Sequence, residues 1–107
     1  MEKNIRIKVS GVNTLAGARY AAGMGINTLG FCFDNMSESF IDLPFAKEIA
    51  GWVEGPTLVA EFANPSIEVL ETTVEFIKPQ FVQLSSLNKD VLNTINYLPI
   101  LLVADVN

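Results

Sequence analysis

Polar side chains that could do chemistry stand at the ends of the apolar segments of this 107-residue chain. Ser10, Asp34 and Ser85 directly follow such segments, and Glu61 lies near the end of another. Hydroxyls and carboxylates can bind polar ligands, and a carboxylate can also transfer protons. We therefore treat these residues as candidate site residues, with Glu61 and Asp34 as acid/base candidates. For Glu61 the alternative is a solvated charge at the end of a strand.

The residue types that are missing narrow the chemistry. The chain has no histidine and a single cysteine, Cys32. It therefore has no Ser-His or Cys-His nucleophile pair, no intrachain disulfide and no cysteine cluster for zinc. Cys32 lies between two phenylalanines in an apolar run, so we expect it to be a buried hydrophobe. We predict no cofactor and no metal, with one alternative: Asp34, Glu61 and Asp105 could together bind Mg²⁺.

Charge and hydropathy exclude further classes of protein. Twelve acidic and seven basic residues give a net charge of −5, which argues against binding to a nucleic-acid backbone. No apolar run is long enough to span a membrane, and the first residues lack the features of a signal peptide. We expect one domain over residues 1–107, a cytoplasmic location, and neither nucleic acid nor membrane as a partner.

The segments that position the candidate residues alternate between apolar runs and amphipathic stretches. We predict strands at 5–9, 28–33, 57–62, 81–84 and 100–103. Helices are predicted between them, starting at the caps Asn13-Thr14, Asp42 and Asn64, with Pro65 as the first helical residue of the third, and a fourth over 88–96. This alternation indicates an α/β fold of five parallel strands and four helices. In such folds the site lies at the carboxyl ends of the strands. Trp52 is expected to pack in the core or in an interface.

Four segments in order, spread over nearly the whole chain, carry a family resemblance. The segment Lys8–Asn13 (Lys-Val-Ser-Gly-Val-Asn) resembles the Lys-Ile-Cys-Gly-Ile-Thr opening of the phosphoribosylanthranilate isomerase family. The segment Gly25–Phe33 resembles that family's Gly-Ala-Asp-Ala-Leu-Gly-Phe-Val-Phe. Phe62–Ser66 resembles Phe-Val-Asn-Pro-Ser, and Phe81–Leu84 resembles Ala-Val-Gln-Leu. The family members are (β/α)₈-barrel enzymes of tryptophan biosynthesis.

The resemblance implies an Amadori rearrangement of a small phosphorylated sugar, and it marks positions in this chain. The family's catalytic cysteine corresponds to Ser10, whose hydroxyl would need a neighbouring base and could instead be a polar turn residue. The substrate-holding positions correspond to Lys8, Ser39, Gln83 and Ser85, where Ser39 stands for an arginine and Ser85 for a histidine. Lys8 could face the substrate or simply pair with a carboxylate. The family's general-acid aspartate belongs to a later strand.

The length of the chain conflicts with that architecture, because a (β/α)₈ barrel takes about 250 residues. Five strands cannot close such a barrel, so we expect a partial barrel with open edges and an inner face lined by Ile7, Phe31 and Val82. The chain would then be part of a longer protein, or self-associate, or flatten into a flavodoxin-like doubly wound sheet. Two functions stay open: a truncated or degenerate isomerase, and a non-catalytic scaffold for ligand binding or assembly.

Overall fold

Nine elements alternate along the chain in a computed structural model that describes residues 7–85, 89–94 and 99–102. The strands are β1 Lys8–Val9, β2 Thr28–Cys32, β3 Thr57–Phe62, β4 Phe81–Leu84 and β5 Ile100–Leu102. The helices are α1 Leu15–Gly23, α2 Leu43–Trp52, α3 Ile67–Ile77 and α4 Lys89–Thr94. The predicted α/β alternation is therefore confirmed. None of the described helices is long and apolar enough to cross a membrane.

The strands form one parallel sheet whose spatial order, β1-β2-β3-β4-β5, is the order of the chain. Right-handed crossovers that always step in the same direction place every helix on the same face of the sheet. A flavodoxin-like sheet has the order 2-1-3-4-5 and helices on both faces. The flavodoxin-like alternative is therefore wrong, and the winding is that of a (β/α) barrel.

Side-chain caps start the first three helices. The Thr14 hydroxyl accepts a hydrogen bond from the Gly17 N–H (2.9 Å), and the Asp42 carboxylate accepts one from the Phe45 N–H (2.8 Å). The predicted start of the third helix at Asn64 is wrong, because Ser66 is the cap and its hydroxyl accepts from the Val69 N–H. Pro65 therefore precedes the helix instead of opening it.

The apolar core fills the layer between the sheet and the helices. Phe31 and Val82 are both 0% exposed and belong to clusters that include helix residues such as Ile49 and Leu70. The prediction that Phe31 and Val82 line the inner face is therefore wrong. Alternate strand residues point to opposite faces, and the polar residues of β1, β3 and β4 occupy the face away from the helices.

The second helix buries its smaller residues rather than its tryptophan. Ala46 and Ile49 are buried, whereas Trp52 is 61% exposed with the Arg19 guanidinium carbon 5.5 Å from its ring centroid. Core packing of Trp52 is therefore not observed, because the residue lies at the end of the helix on its outer side. A cation–π contact with α1 covers part of the ring instead.

Replacing Leu70 by alanine should lower the free energy of unfolding by about 2–5 kcal/mol, because the side chain is fully buried in α3. Val69→Ala, on the exposed side of the same helix, should change it by no more than about 0.5 kcal/mol. Urea unfolding of the two variants measures the difference. Equal losses would contradict the assignment of the core to this face.

Candidate functional site

Four polar residues meet on the concave face of the sheet, which is the face opposite the helices. The Lys8 ammonium donates to Glu61 Oε2 at 2.5 Å, to Ser10 Oγ at 2.8 Å and to Gln83 Oε1. Three oxygen acceptors thus match the three N–H donors of an ammonium group. We call Lys8, Ser10, Glu61 and Gln83 the concave cluster. Of the two alternatives for Lys8, pairing with a carboxylate is observed.

The concave cluster requires a curved sheet. Neighbouring strands lie about 4.8 Å apart, so β1 and β4 would be about 14 Å apart in a flat sheet. The hydrogen bond from Lys8 on β1 to Gln83 on β4 crosses that span. Curvature toward the concave face, as in a barrel wall, brings the two side chains within reach.

Glu61 is a buried charge, so its interpretation as a solvated strand-end residue is wrong. Glu61 is 7% exposed. Its second oxygen, Oε1, accepts a hydrogen bond from the backbone N–H of Gly11 at 3.0 Å. The carboxylate lies directly over Gly30 of β2, where an added Cβ would stand 2.1 Å from Oε2. Because Gly30 has no side chain, the Glu61 carboxylate can occupy the space above it.

The β1–α1 and β2–α2 loops, which flank the concave cluster, are in contact through Gly11 and Ser39. Gly11 has a φ of +67°, which is a left-handed conformation that favours glycine, and an added Cβ there would lie 2.7 Å from Ser39 Oγ. The structure therefore places Ser39 against the β1–α1 loop. The Ser39 N–H donates to the Ser37 hydroxyl at 3.1 Å.

A cavity of about 230 Å³ opens at the carboxyl ends of β2, β3 and β4. It brings together Asp34, Glu61, Gln83 and Ser85 from the predicted site. Cys32 also lines it and is only half-buried, short of the full burial that we expected. The full lining is Cys32, Asp34, Ser37, Glu61, Phe62, Ala63, Gln83 and Ser85.

The predicted Mg²⁺ alternative finds no support in the geometry. Asp105 lies outside the described residues, and in the part of the chain that is described no three His, Cys, Asp or Glu residues form a group that could hold a metal ion. Both oxygens of Glu61 already accept hydrogen bonds, from Lys8 and from Gly11.

The hydrogen bonds limit what Ser10 can do. Its oxygen accepts from the Lys8 ammonium, and among the described residues no carboxylate is bonded to its hydroxyl. A serine needs a proton acceptor to act as a base, whereas its partner here is a proton donor. The arrangement suits recognition of a polar ligand, because Ser10 still has its O–H to donate.

Two residues of the site were not recognised as such in the sequence. Gly30 makes room for the Glu61 carboxylate, and the Gly11 backbone binds it. A glycine inside an apolar strand is a signal of close approach by another group, so Gly30 could have been recognised. The Gly11 N–H carries no such signal, because its partner lies 50 residues away along the chain.

Comparison with solved structures identifies the fold. The phosphoribosyl anthranilate isomerase from Thermus thermophilus superposes with a TM-score of 0.84 at 22% identity, over 92% of this chain and 50% of that one. The enzyme from Thermotoga maritima gives 0.82 at 21% identity, over 96% and 63%. A phosphoribosyl anthranilate isomerase in complex with reduced 1-(o-carboxyphenylamino)-1-deoxyribulose 5-phosphate gives 0.72 at 21%, over 94% and 66%.

These comparisons confirm the predicted likeness in fold. The chain spans about half of the Thermus thermophilus enzyme and 63% of the Thermotoga maritima enzyme. No protein-family model and no curated protein matches its sequence. The shared feature is therefore the fold, and activity depends on the residues of the site.

Replacing Lys8 by methionine should lower the free energy of unfolding by about 2–3 kcal/mol, because it leaves the buried Glu61 carboxylate without a countercharge. This is below the ~3–5 kcal/mol of a fully buried pair, since the Lys8 side chain is 23% exposed. The double variant Lys8→Met/Glu61→Gln should lose at least about 1 kcal/mol less than the two single variants together. Urea unfolding of all four proteins measures this coupling. Strict additivity would contradict a direct ion pair.

Proposed function

We propose that this chain is part of a phosphoribosylanthranilate-isomerase-like barrel that acts on a small phosphorylated aminosugar, by an Amadori rearrangement in tryptophan biosynthesis. The observation that carries the proposal is the concave cluster. Polar side chains from β1, β3 and β4 meet at the carboxyl ends of the strands, where (β/α) barrels bind their substrates. They do so in a fold that matches isomerase structures.

The proposed reaction needs one group that removes a proton from the sugar and one that protonates the ring oxygen. Asp34 suits an acid/base role better than Glu61, because it is only half-buried and lines the cavity, with one oxygen bonded to the Met36 N–H. Both Glu61 oxygens are occupied by protein groups. In this proposal Gln83 and Ser85, which line the cavity, face the sugar, while Lys8 holds Glu61, Ser10 and Gln83 in place.

The ligand class follows from the matched structure that holds a carboxyphenylamino sugar phosphate. The cavity lining offers hydroxyls, an amide and two carboxylates. Position 39 is a serine, so a ligand carboxylate would meet no guanidinium there, and we expect weaker binding than an arginine would give. The remaining strands would come from the rest of a longer chain or from self-association, and the protein would work in the cytoplasm without a cofactor.

A second candidate function is a non-catalytic scaffold that binds a related ligand or assembles with a partner. The observation that favours it is the bond from the Lys8 ammonium to the Ser10 oxygen. This bond gives Ser10 a cationic donor where a base would be needed. A protein that kept the fold and lost the base would bind the sugar phosphate without converting it.

Conversion of phosphoribosylanthranilate by the protein expressed from its own gene tests the isomerase. We expect measurable turnover, and an increase of at least about tenfold in Ser10→Cys because a thiolate forms far more readily than an alkoxide. Turnover by the native protein would contradict the scaffold, and its loss in Ser10→Ala would show that the reaction depends on Ser10. Absence of turnover in both the native protein and Ser10→Cys would contradict the isomerase.

Introducing an arginine at position 39 should strengthen binding of the reduced carboxyphenylamino sugar phosphate by about tenfold, through a charge-assisted hydrogen bond to the ligand carboxylate. Titration calorimetry with the native protein and Ser39→Arg measures the change. The same sugar phosphate without its carboxyl group is the control ligand and should gain nothing. An equal gain for both ligands would show that the arginine binds another part of the molecule.

A further inference from the structure

We infer that Glu61 is a positioning residue, which fixes the segment Lys8–Gly11, and that this positioning requires glycine at residue 30, where the carboxylate lies over the backbone. The inference rests on the proposed function only for what Lys8 and Ser10 bind. The positioning itself depends on contacts among the described residues.

The Glu61 carboxylate bonds both ends of the segment Lys8–Gly11. Its Oε2 accepts from the side chain of Lys8 at 2.5 Å, and its Oε1 accepts from the backbone N–H of Gly11 at 3.0 Å. Ser10 lies between these two anchor points and also bonds Lys8. A lysine side chain in solvent samples many rotamers, so the ammonium would not stay beside Ser10 without such a partner.

The sheet explains why this contact needs a glycine. Glu61 is on β3 and Lys8 is on β1, so their side chains meet across β2. Two strand spacings separate β1 from β3 by about 9.5 Å. In the register of the sheet Glu61 lies beside Cys32, yet its carboxylate lies over Gly30, one position earlier on that face. A Cβ at residue 30 would stand 2.5 Å from Glu61 Cδ and 2.1 Å from Oε2.

Apart from the contact with Glu61, a glycine at position 30 is unfavourable for the stability of the strand. Glycine inside a strand costs conformational entropy and has no side chain to pack, so an alanine would ordinarily stabilise the sheet. Gly30 is buried and carries no positive φ. Glu61 occupies the space that a Cβ would fill, so alanine here is expected to displace the carboxylate from both of its partners.

Two reporters read the position of the carboxylate without requiring any activity. The first is the rate at which the Lys8 amine is acylated, measured by mass spectrometry against the exposed Lys78 of the same molecule. The second is hydrogen exchange of the Gly11 amide, measured by NMR. In the native protein we expect Lys8 to react at least tenfold more slowly than Lys78, and the Gly11 amide to be protected at least tenfold.

Three variants distinguish the contact of Glu61 with Lys8 from its contact with Gly11. Gly30→Ala should release both reporters, with at least a fivefold change in each. Glu61→Gln keeps an oxygen for Gly11 but turns an amide toward Lys8, so it should release Lys8 alone. Gly51→Ala in α2, where an added Cβ meets nothing within 4 Å, is the matched control and should leave both unchanged. Circular dichroism establishes that each variant is folded.

The outcomes are distinct. Native Lys8 that reacts as fast as Lys78 would overturn the inference, as would a folded Gly30→Ala in which neither reporter moves. If Gly30→Ala does not fold, the Lys8 rate in Glu61→Gln decides. Binding of the reduced carboxyphenylamino sugar phosphate, weakened at least tenfold in both Gly30→Ala and Glu61→Gln and unchanged in Gly51→Ala, would link the positioning by Glu61 to the proposed site. A native protein that does not bind it but shows both reporter signals would contradict the proposed function and leave the positioning role intact.

Discussion

The buried carboxylate of Glu61 is the constraint on which the site depends. A charge that is 7% exposed must be paired and hydrogen-bonded, and its partners come from β1 and from the loop that follows β1. Its position fixes where Lys8 lies, and Lys8 in turn reaches Gln83 on β4. The ion pair and the Lys8–Gln83 hydrogen bond together join residues of three strands, and they fit only a sheet that curves toward them.

The sheet separates two kinds of surface. The helix side is apolar, with Phe31 and Val82 fully buried, and it holds the domain together. The concave side carries the ion pair and its hydrogen-bonding partners. A sheet with an apolar concave face would expose a surface that favours association, whereas this face presents groups whose charges are already matched. The same pairing leaves hydroxyls and an amide as the groups that meet a ligand.

The likeness to isomerase structures and the chemistry of the site carry different information. At 21–22% identity the superposition establishes how the chain is wound. The concave cluster establishes which atoms meet at the carboxyl ends of the strands, and there Ser10 bonds a cation instead of a base. A common fold hosts many functions, so the hydrogen bonds of Ser10 and the surroundings of Asp34 bear on activity more directly than the superposition does.

Local signals in the sequence determined the elements of this protein. The alternation of apolar runs with helical periodicity gave the α/β class, and Thr14 and Asp42 marked helix starts that the structure shows. The start of α3 was misplaced because Asn64 and Ser66 are both good caps two residues apart.

Only the tertiary structure decided the rest. Strands buried on both faces show no polar alternation, so the sequence could not tell that Phe31 faces the helices. It could not tell whether Glu61 was solvated, because its partners Lys8 and Gly11 lie 53 and 50 residues away along the chain. Their meeting depends on strand order, register and curvature together, which no local pattern encodes.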